Sequence, residues 1–147
     1  MEFDKDFLGK LFEQAVTNPR LRQNFDLRTS PADTSQRMLN ALLPGTKVPI
    51  HRHEDSTETV ICLVGKLEEI IYEEVNDYVH ETTSCCDDVI RQKSFKEVSR
   101  QILSPAEGKF GIQIPAGAWH TINIIEPSVI FEAKDGAYRG DGRLKKD

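Results

Sequence analysis

Gly45-Thr-Lys-Val-Pro-Ile-His51-Arg52-His53-Glu-Asp-Ser-Thr-Glu58-Thr-Val-Ile-Cys-Leu-Val-Gly65 is the stretch on which the fold turns. Successive side chains of an extended chain point to opposite faces, so His51 and His53 share a face and Arg52 turns away. The polar run Glu54 to Thr57 reads as a turn, and Glu58 opens the apolar segment Thr59 to Val64, which reads as the neighbouring strand. A hairpin of that kind brings a carboxylate beside two imidazoles. Downstream, Ile114-Pro115-Ala-Gly117-Ala-Trp119-His120-Thr-Ile-Asn123 offers a further histidine after a Pro-x-Gly turn, at the head of another apolar run. The expectation is a metal site of three imidazole nitrogens and one carboxylate oxygen.

The first stretch resembles the first cupin motif, Gly-x5-His-x-His-x4-Glu-x6-Gly, at every fixed position. The second is similar to the second cupin motif, Gly-x5-Pro-x-Gly-x2-His-x3-Asn. It departs in two places: Gly108 lies one residue too far from Pro115, and Asn123 comes one residue too early after His120. The Pro-x-Gly-x2-His core is intact. Within cupins the chain is most similar to the WbuC family of cupin-fold metalloproteins found with surface-polysaccharide genes. That resemblance rests on Arg20-Leu-Arg22-x-Asn24, Gln36-Arg37-Met-Leu-Asn40-Ala-Leu, Pro49-x-His51-Arg-His53, Pro115-x-Gly117-x-Trp119-His120-Thr121 and Phe131-Glu-x-Lys134-x-Gly136-x-Tyr138.

The resemblance implies a double-stranded β-helix, or jelly-roll barrel, with its metal at His51, His53, Glu58 and His120. It also makes a homodimer common and a sugar or sugar nucleotide a reasonable substrate, without defining an activity.

The rest of the chain agrees with an all-β barrel carrying an N-terminal α-helix. From Asp4 to Val16 apolar residues fall at Phe7, Leu8, Leu11, Phe12, Ala15 and Val16, a helical stripe with Asp4 as N-cap and Asn18-Pro19 as the stop. An extended, turn-rich arm from Arg20 to Ser35 follows. Beyond it, short apolar runs alternate with Gly, Pro and Asp breaks: Arg37 to Leu43, Val48 to His53, Thr59 to Val64, Lys66 to Tyr72, Gly111 to Ile114, Trp119 to Ile125 and Ser128 to Ala133. The connection from Glu73 to Arg100 reads either as an extended hairpin or as a short helix over the rim. The organisation expected is helix and arm over 1–35, barrel over 36–135 and a polar tail over 136–147, all in one domain of 147 residues.

Composition narrows the function classes. The net charge of -5, with no long basic run, argues against nucleic-acid binding. The N-terminus lacks a secretory pattern and no segment nears the roughly 18 apolar residues of a membrane span, so a cytoplasmic protein is expected. Cys62, Cys85 and Cys86 form no CxxC pattern and read as reduced thiols, with Cys62 as a small core residue.

Imidazole and carboxylate ligands suit a divalent transition ion such as Fe, Mn, Ni, Zn, Co or Cu. Two hypotheses follow for a small polar ligand, a carbohydrate among the options. One is an enzyme, an oxygenase, isomerase or lyase; the other is a non-catalytic ligand-binding or sensor module. The lumenal candidates for catalysis are Arg37, Asn40, Glu132 and Lys134. Arg37 and Asn40 differ in strand parity, so at most one faces the lumen; Glu132 and Lys134 share a face, as a general acid or base or as an ion-paired strand end. Arg20, Arg22 and Arg28 read either as an anion cradle or as surface ion pairs. Trp119 reads as barrel packing and His80 as a solvated side chain.

Overall fold

The computed structural model describes residues 1–83 and 86–136, the side chains of 81–83, 86–88 and 91 excepted. Cys85 and the expected tail from Ala137 on, with Tyr138, lie outside the described residues.

Helix α1 (Lys5–Thr17) begins where the sequence marks it: the Asp4 carboxylate accepts the Phe7 backbone N–H at 2.9 Å, and Asn18 closes the helix through its own N–H to the Ala15 carbonyl. The stripe buries Leu11 and Ala15 against Leu39, Ala41 and Val129 on the outer face of the sheet, with Phe7, Leu8 and Phe25 packed around them.

The strands are β1 (Arg22–Asp26), β2 (Ser35–Leu42), β3 (Glu58–Thr83), β4 (Cys86–Leu103), β5 (Gly111–Ile114) and β6 (Trp119–Asp135), all pairings antiparallel. Their order is β1-β2-β6-β3-β4, with β5 on β3. The central β3–β6 pair runs from Glu58 opposite Lys134 to Tyr72 opposite Trp119, with register shifts between Cys62 and Leu67. Both strands bend there. The first half of β3 pairs with β5 and the second with β4, so one strand serves two layers.

Gly65 makes that corner. Its φ of +96° is left-handed, and a Cβ on it would run into the Pro127 carbonyl oxygen and into Ser128. Pro127 sits at the matching bend of β6, where a missing N–H costs no ladder bond. Between the layers, Leu42, Val60, Cys62, Leu67, Leu103, Ile114, Ile124 and Ile130 form the interior cluster. These residues come from β2, β3, β4, β5 and β6, so the cluster is the inside of the barrel.

Several sequence expectations change in form. Thr59 to Val64 and Lys66 to Tyr72 are one strand bent at Gly65 rather than two. Val48 to His53 is no strand: among the described residues its one bridge joins His51 to His120, and Pro49, lacking an N–H, offers no donor for a longer ladder. The arm from Arg20 to Ser35 contains β1, which pairs with β2 from Arg22 opposite Leu42 to Asp26 opposite Met38.

Residues 73 to 100 take the hairpin alternative. Past Tyr72 the two strands leave the barrel as a ribbon with Tyr78, Val79, Val89 and Ile90 exposed. Glu74–Lys93 at 2.9 Å and Ser94–Asp77 at 3.0 Å cross it. Among the described residues no helix is long and apolar enough to cross a membrane.

Candidate metal centre

The two histidine motifs meet through their backbones. His51 donates its N–H to the His120 carbonyl at 3.0 Å, His120 returns one to His51 at 2.8 Å, and the Gly117 amide donates to the His53 carbonyl at 2.7 Å. The Thr121 hydroxyl adds a bond to the Val48 carbonyl at 2.6 Å. A segment without sheet structure is thereby held in register against β6.

On this frame the imidazoles of His51, His53 and His120 converge, one ligand nitrogen from each lying within 4.8 Å of the others. Ring centroids are 5.2 Å apart for His51–His53, 4.2 Å for His51–His120 and 5.6 Å for His53–His120. Glu58 stands beside them, its Oε2 2.7 Å from His53 Nε2 and 4.0 Å from His120 Nε2. The Nδ1 atoms of His51 and His120 each lie 2.9 Å from a backbone carbonyl, of Pro49 and Ala118 respectively. Those carbonyls require an N–H at Nδ1, which leaves Nε2 as the lone-pair nitrogen. His120 Nε2 is buried and has no hydrogen-bond partner among the described residues.

The electrostatics suit a cation. Burial, reinforced by His120, lowers the His51 pKa to about 4, so its ring is neutral at physiological pH. Burial likewise lowers His120. For Glu58 burial is the strongest single influence and acts upward, yet the His53 hydrogen bond and the surrounding imidazoles outweigh it and hold the carboxyl below its ordinary value. His51 and His120 are therefore neutral imidazoles beside an ionised carboxylate, the protonation state in which such groups bind a divalent transition ion. The residues fit such an ion.

The other sequence candidates divide by parity. Arg37 faces outward, on Asp33 at 2.6 Å. Asn40 lies on the lumenal face with Leu42 and hydrogen-bonds Glu132. Glu132 and Lys134 both share the parity of interior Ile130, opposite Val60 and Glu58. Lys134 Nζ reaches only the Gly136 carbonyl among the described residues, at 3.4 Å.

Of the three arginines, Arg28 is engaged with Asp26 at 2.9 Å, Arg20 is exposed, and Arg22 donates to the Lys47 carbonyl at 3.3 Å with its charge felt by Glu132. Trp119 packs outside the lumen, under the Arg52 guanidinium at 4.6 Å and against Phe95 at 5.0 Å. Cys62 is a core thiol, pushed up to about 11 by burial, with its Sγ on the Val64 carbonyl. Asn123, the displaced asparagine, is exposed and donates to Glu68 at 2.9 Å.

Glu69 was not foreseen from the sequence. It is 2 % exposed, has the parity of Leu67, and its Oε2 has no partner. Burial first, then Glu58 and Glu132, raise its pKa well above the ordinary carboxyl value. Counting alternation from Glu58 sends residue 69 outward; the register shifts between Cys62 and Leu67 reverse it. The signal available was Gly65, the only break in that apolar run.

Glu132 is raised to about 8, by burial and then by Glu58, while Arg22 and Asn40 pull the other way. A carboxyl whose folded pKa exceeds its usual 4.5 stabilises fully below that lower value, and the stabilisation is lost as pH rises through the upper one. Glu132→Gln in metal-free protein is therefore expected to match the parent at pH 4 and to exceed it by several kcal/mol at pH 9. Urea denaturation at both pH values checks this; equal stabilities at pH 9 would place the carboxyl in water.

The same architecture recurs in known structures. TT1209 from Thermus thermophilus is similar at 20% identity and a TM-score of 0.57, over 92% of this chain and 98% of that one. KdgF from a Halomonas species is similar at 14% and 0.54, over 84% and 87%. A cupin 2 domain-containing protein from Halorhodospira halophila is similar at 18% and 0.54, over 86% and 70%. These likenesses establish the cupin fold. No curated protein matches the sequence significantly. Residues 3–84, more than half of the chain, match the family described as a domain of unknown function (DUF6016), and the chain belongs to that family.

Proposed function

We propose that this protein binds a divalent transition metal through His51, His53, His120 and Glu58 and acts as a metalloenzyme on a small polar molecule. The convergence of three buried or half-buried imidazole nitrogens within 4.8 Å carries the reading. When bound, the ion supplies a Lewis acid or an oxygen-activating centre. The chain's own residues do the rest: the Pro49 and Ala118 carbonyls orient two rings, and Glu58 holds the compensating negative charge.

What favours an enzyme over a sensor is a second, independent carboxyl in the same lumen. Glu132 keeps a proton near neutral pH and stands on the strand that also carries His120, so it suits transfer of a proton to or from a bound ligand. The similarity to WbuC proteins points to a sugar or sugar nucleotide of surface-polysaccharide metabolism, and to a homodimer.

The test is metal analysis of the purified protein, followed by turnover and oxygen-uptake assays over sugars and small acids. About one transition ion per chain and metal-dependent turnover that fails in Glu132→Gln are expected. Stoichiometric metal with turnover indifferent to Glu132 would leave the binding-module reading in its place.

A further inference from the structure

Three buried side-chain oxygens facing the lumen have no hydrogen-bond partner among the described residues: Gln36 Oε1, Asn40 Oδ1 and Glu69 Oε2. Gln36 is 6 % exposed and Glu69 2 %. They do not belong to the metal ligands, yet they stand close. Gln36 pairs across β2–β6 with Lys134, which pairs in turn with Glu58, so all three lie in one row of the inner wall. Asn40 gives its amide N–H to Glu132, and its Oδ1 is the atom left without a partner. Glu69 lies opposite Ile122, two residues along β6 from His120.

Buried polar oxygens without partners are rare because each sacrifices its hydration, and three of them around one lumen, Gln36 and Asn40 on β2 and Glu69 on the second half of β3, need a common explanation. The two amide oxygens lack donors, and the Glu69 carboxyl, which burial holds toward its protonated form, lacks a partner that can donate or accept. A ligand rich in hydroxyls meets both needs.

We propose that these residues frame a lumenal subsite for a neutral polyhydroxyl molecule, whose hydroxyls donate to Gln36 and Asn40 and bond the Glu69 carboxyl while another of its oxygens faces the imidazole cluster. This rests on the metal-site reading above and assigns the residues that would hold the ligand there. Hydroxyls fit better than ammonium groups for a Coulombic reason: a divalent ion at the imidazoles repels a cationic ligand a few ångströms away, whereas an alcohol oxygen is itself a ligand for that ion. An alcohol also donates and accepts at one atom, so it suits a subsite that carries acceptors beside the Asn40 amide and the carboxyls.

The experiment follows the side-chain amide resonances of Gln36 and Asn40 during titration with glucose, galactose, ribose and myo-inositol, in zinc-loaded and in metal-free protein. Ethanolamine and acetate serve as cationic and anionic probes. At least one polyol is expected to shift both amides saturably. Gln36→Leu is expected to bind it about tenfold more weakly, the equivalent of one hydrogen bond, with zinc content unchanged. Because Gln36→Leu removes an unpaired buried acceptor, its thermal midpoint should equal or exceed the parent's; Asn40→Ser is the second variant should the first not fold.

Polyol binding that depends on Gln36 in the metal-free protein upholds the subsite even where zinc fails to bind, which would count against the metal reading alone. A response confined to ethanolamine or acetate, no response to any polyol in either form, or an affinity indifferent to both substitutions overturns the proposal.

Discussion

His120→Ala is expected to lower the affinity for zinc or cobalt by at least about 100-fold, more than the 10- to 100-fold that removal of an outer-shell partner typically costs. His120 links the two motifs. Its ring is 2 % exposed, its Nδ1 is held by the Ala118 carbonyl, and its Nε2 has nothing to bond among the described residues. Loss of the ring removes one of the convergent nitrogens and lets water into the lumen. The backbone bonds between residues 51 and 120 do not involve the ring, so the frame should survive. Competition against a chromophoric chelator measures the affinity, with circular dichroism as the check on folding. A folded variant that keeps its affinity within about threefold would remove His120 from the site, since a tenfold change is already about 1.4 kcal/mol.

Gly65→Ala is expected to destabilise the protein by roughly 4 kcal/mol, through two effects at the barrel corner. An alanine at φ +96° carries backbone strain on the order of 1–3 kcal/mol. The added methyl also meets backbone, the Pro127 carbonyl and the Ser128 Cα, neither of which can swing aside as a side chain could. Ser128 is fixed there, its hydroxyl accepting the Lys66 N–H at 3.0 Å and donating to the Glu126 carbonyl at 2.7 Å. Relief therefore requires the two central strands to part. Urea denaturation gives the magnitude, and a loss under about 1 kcal/mol would mean that the corner is pliable. Gly117 is the contrasting control: its φ is +81° but nothing lies within 4 Å of an added Cβ, so Gly117→Ala should incur the strain alone.

The helix, the barrel strands and the convergence of the histidine motifs were legible because each depends on local rules: a stripe, a cap, alternation and turn residues. Asp4 capping Phe7 and Arg52 turned from the imidazoles onto Trp119 are direct consequences of those rules. Arg37 and Asn40 separated as parity requires, one to Asp33 and the other to Glu132. What parity could not deliver was anything past an irregularity. The shifts between Cys62 and Leu67 turned Glu69 inward, and Pro49 with its neighbours replaced an expected strand by a segment tethered to β6. In both places long-range pairing overrides the local pattern, and nothing within a few residues records it.

Because β3 and β6 each pass through both layers, the contacts that define the barrel join residues far apart in the chain, such as Glu58 with Lys134 and Tyr72 with Trp119. Closing loops of that size precedes any gain from the interior, which slows the search for the native state. The imidazole cluster exists only once both layers have docked, so a metal ion has no assembled cage to bind on the unfolded polypeptide. Its binding energy then falls on the finished molecule. It should act as a latch that retards unfolding far more than it hastens folding, and a chelator should shorten the lifetime of the native protein while leaving its rate of formation nearly untouched.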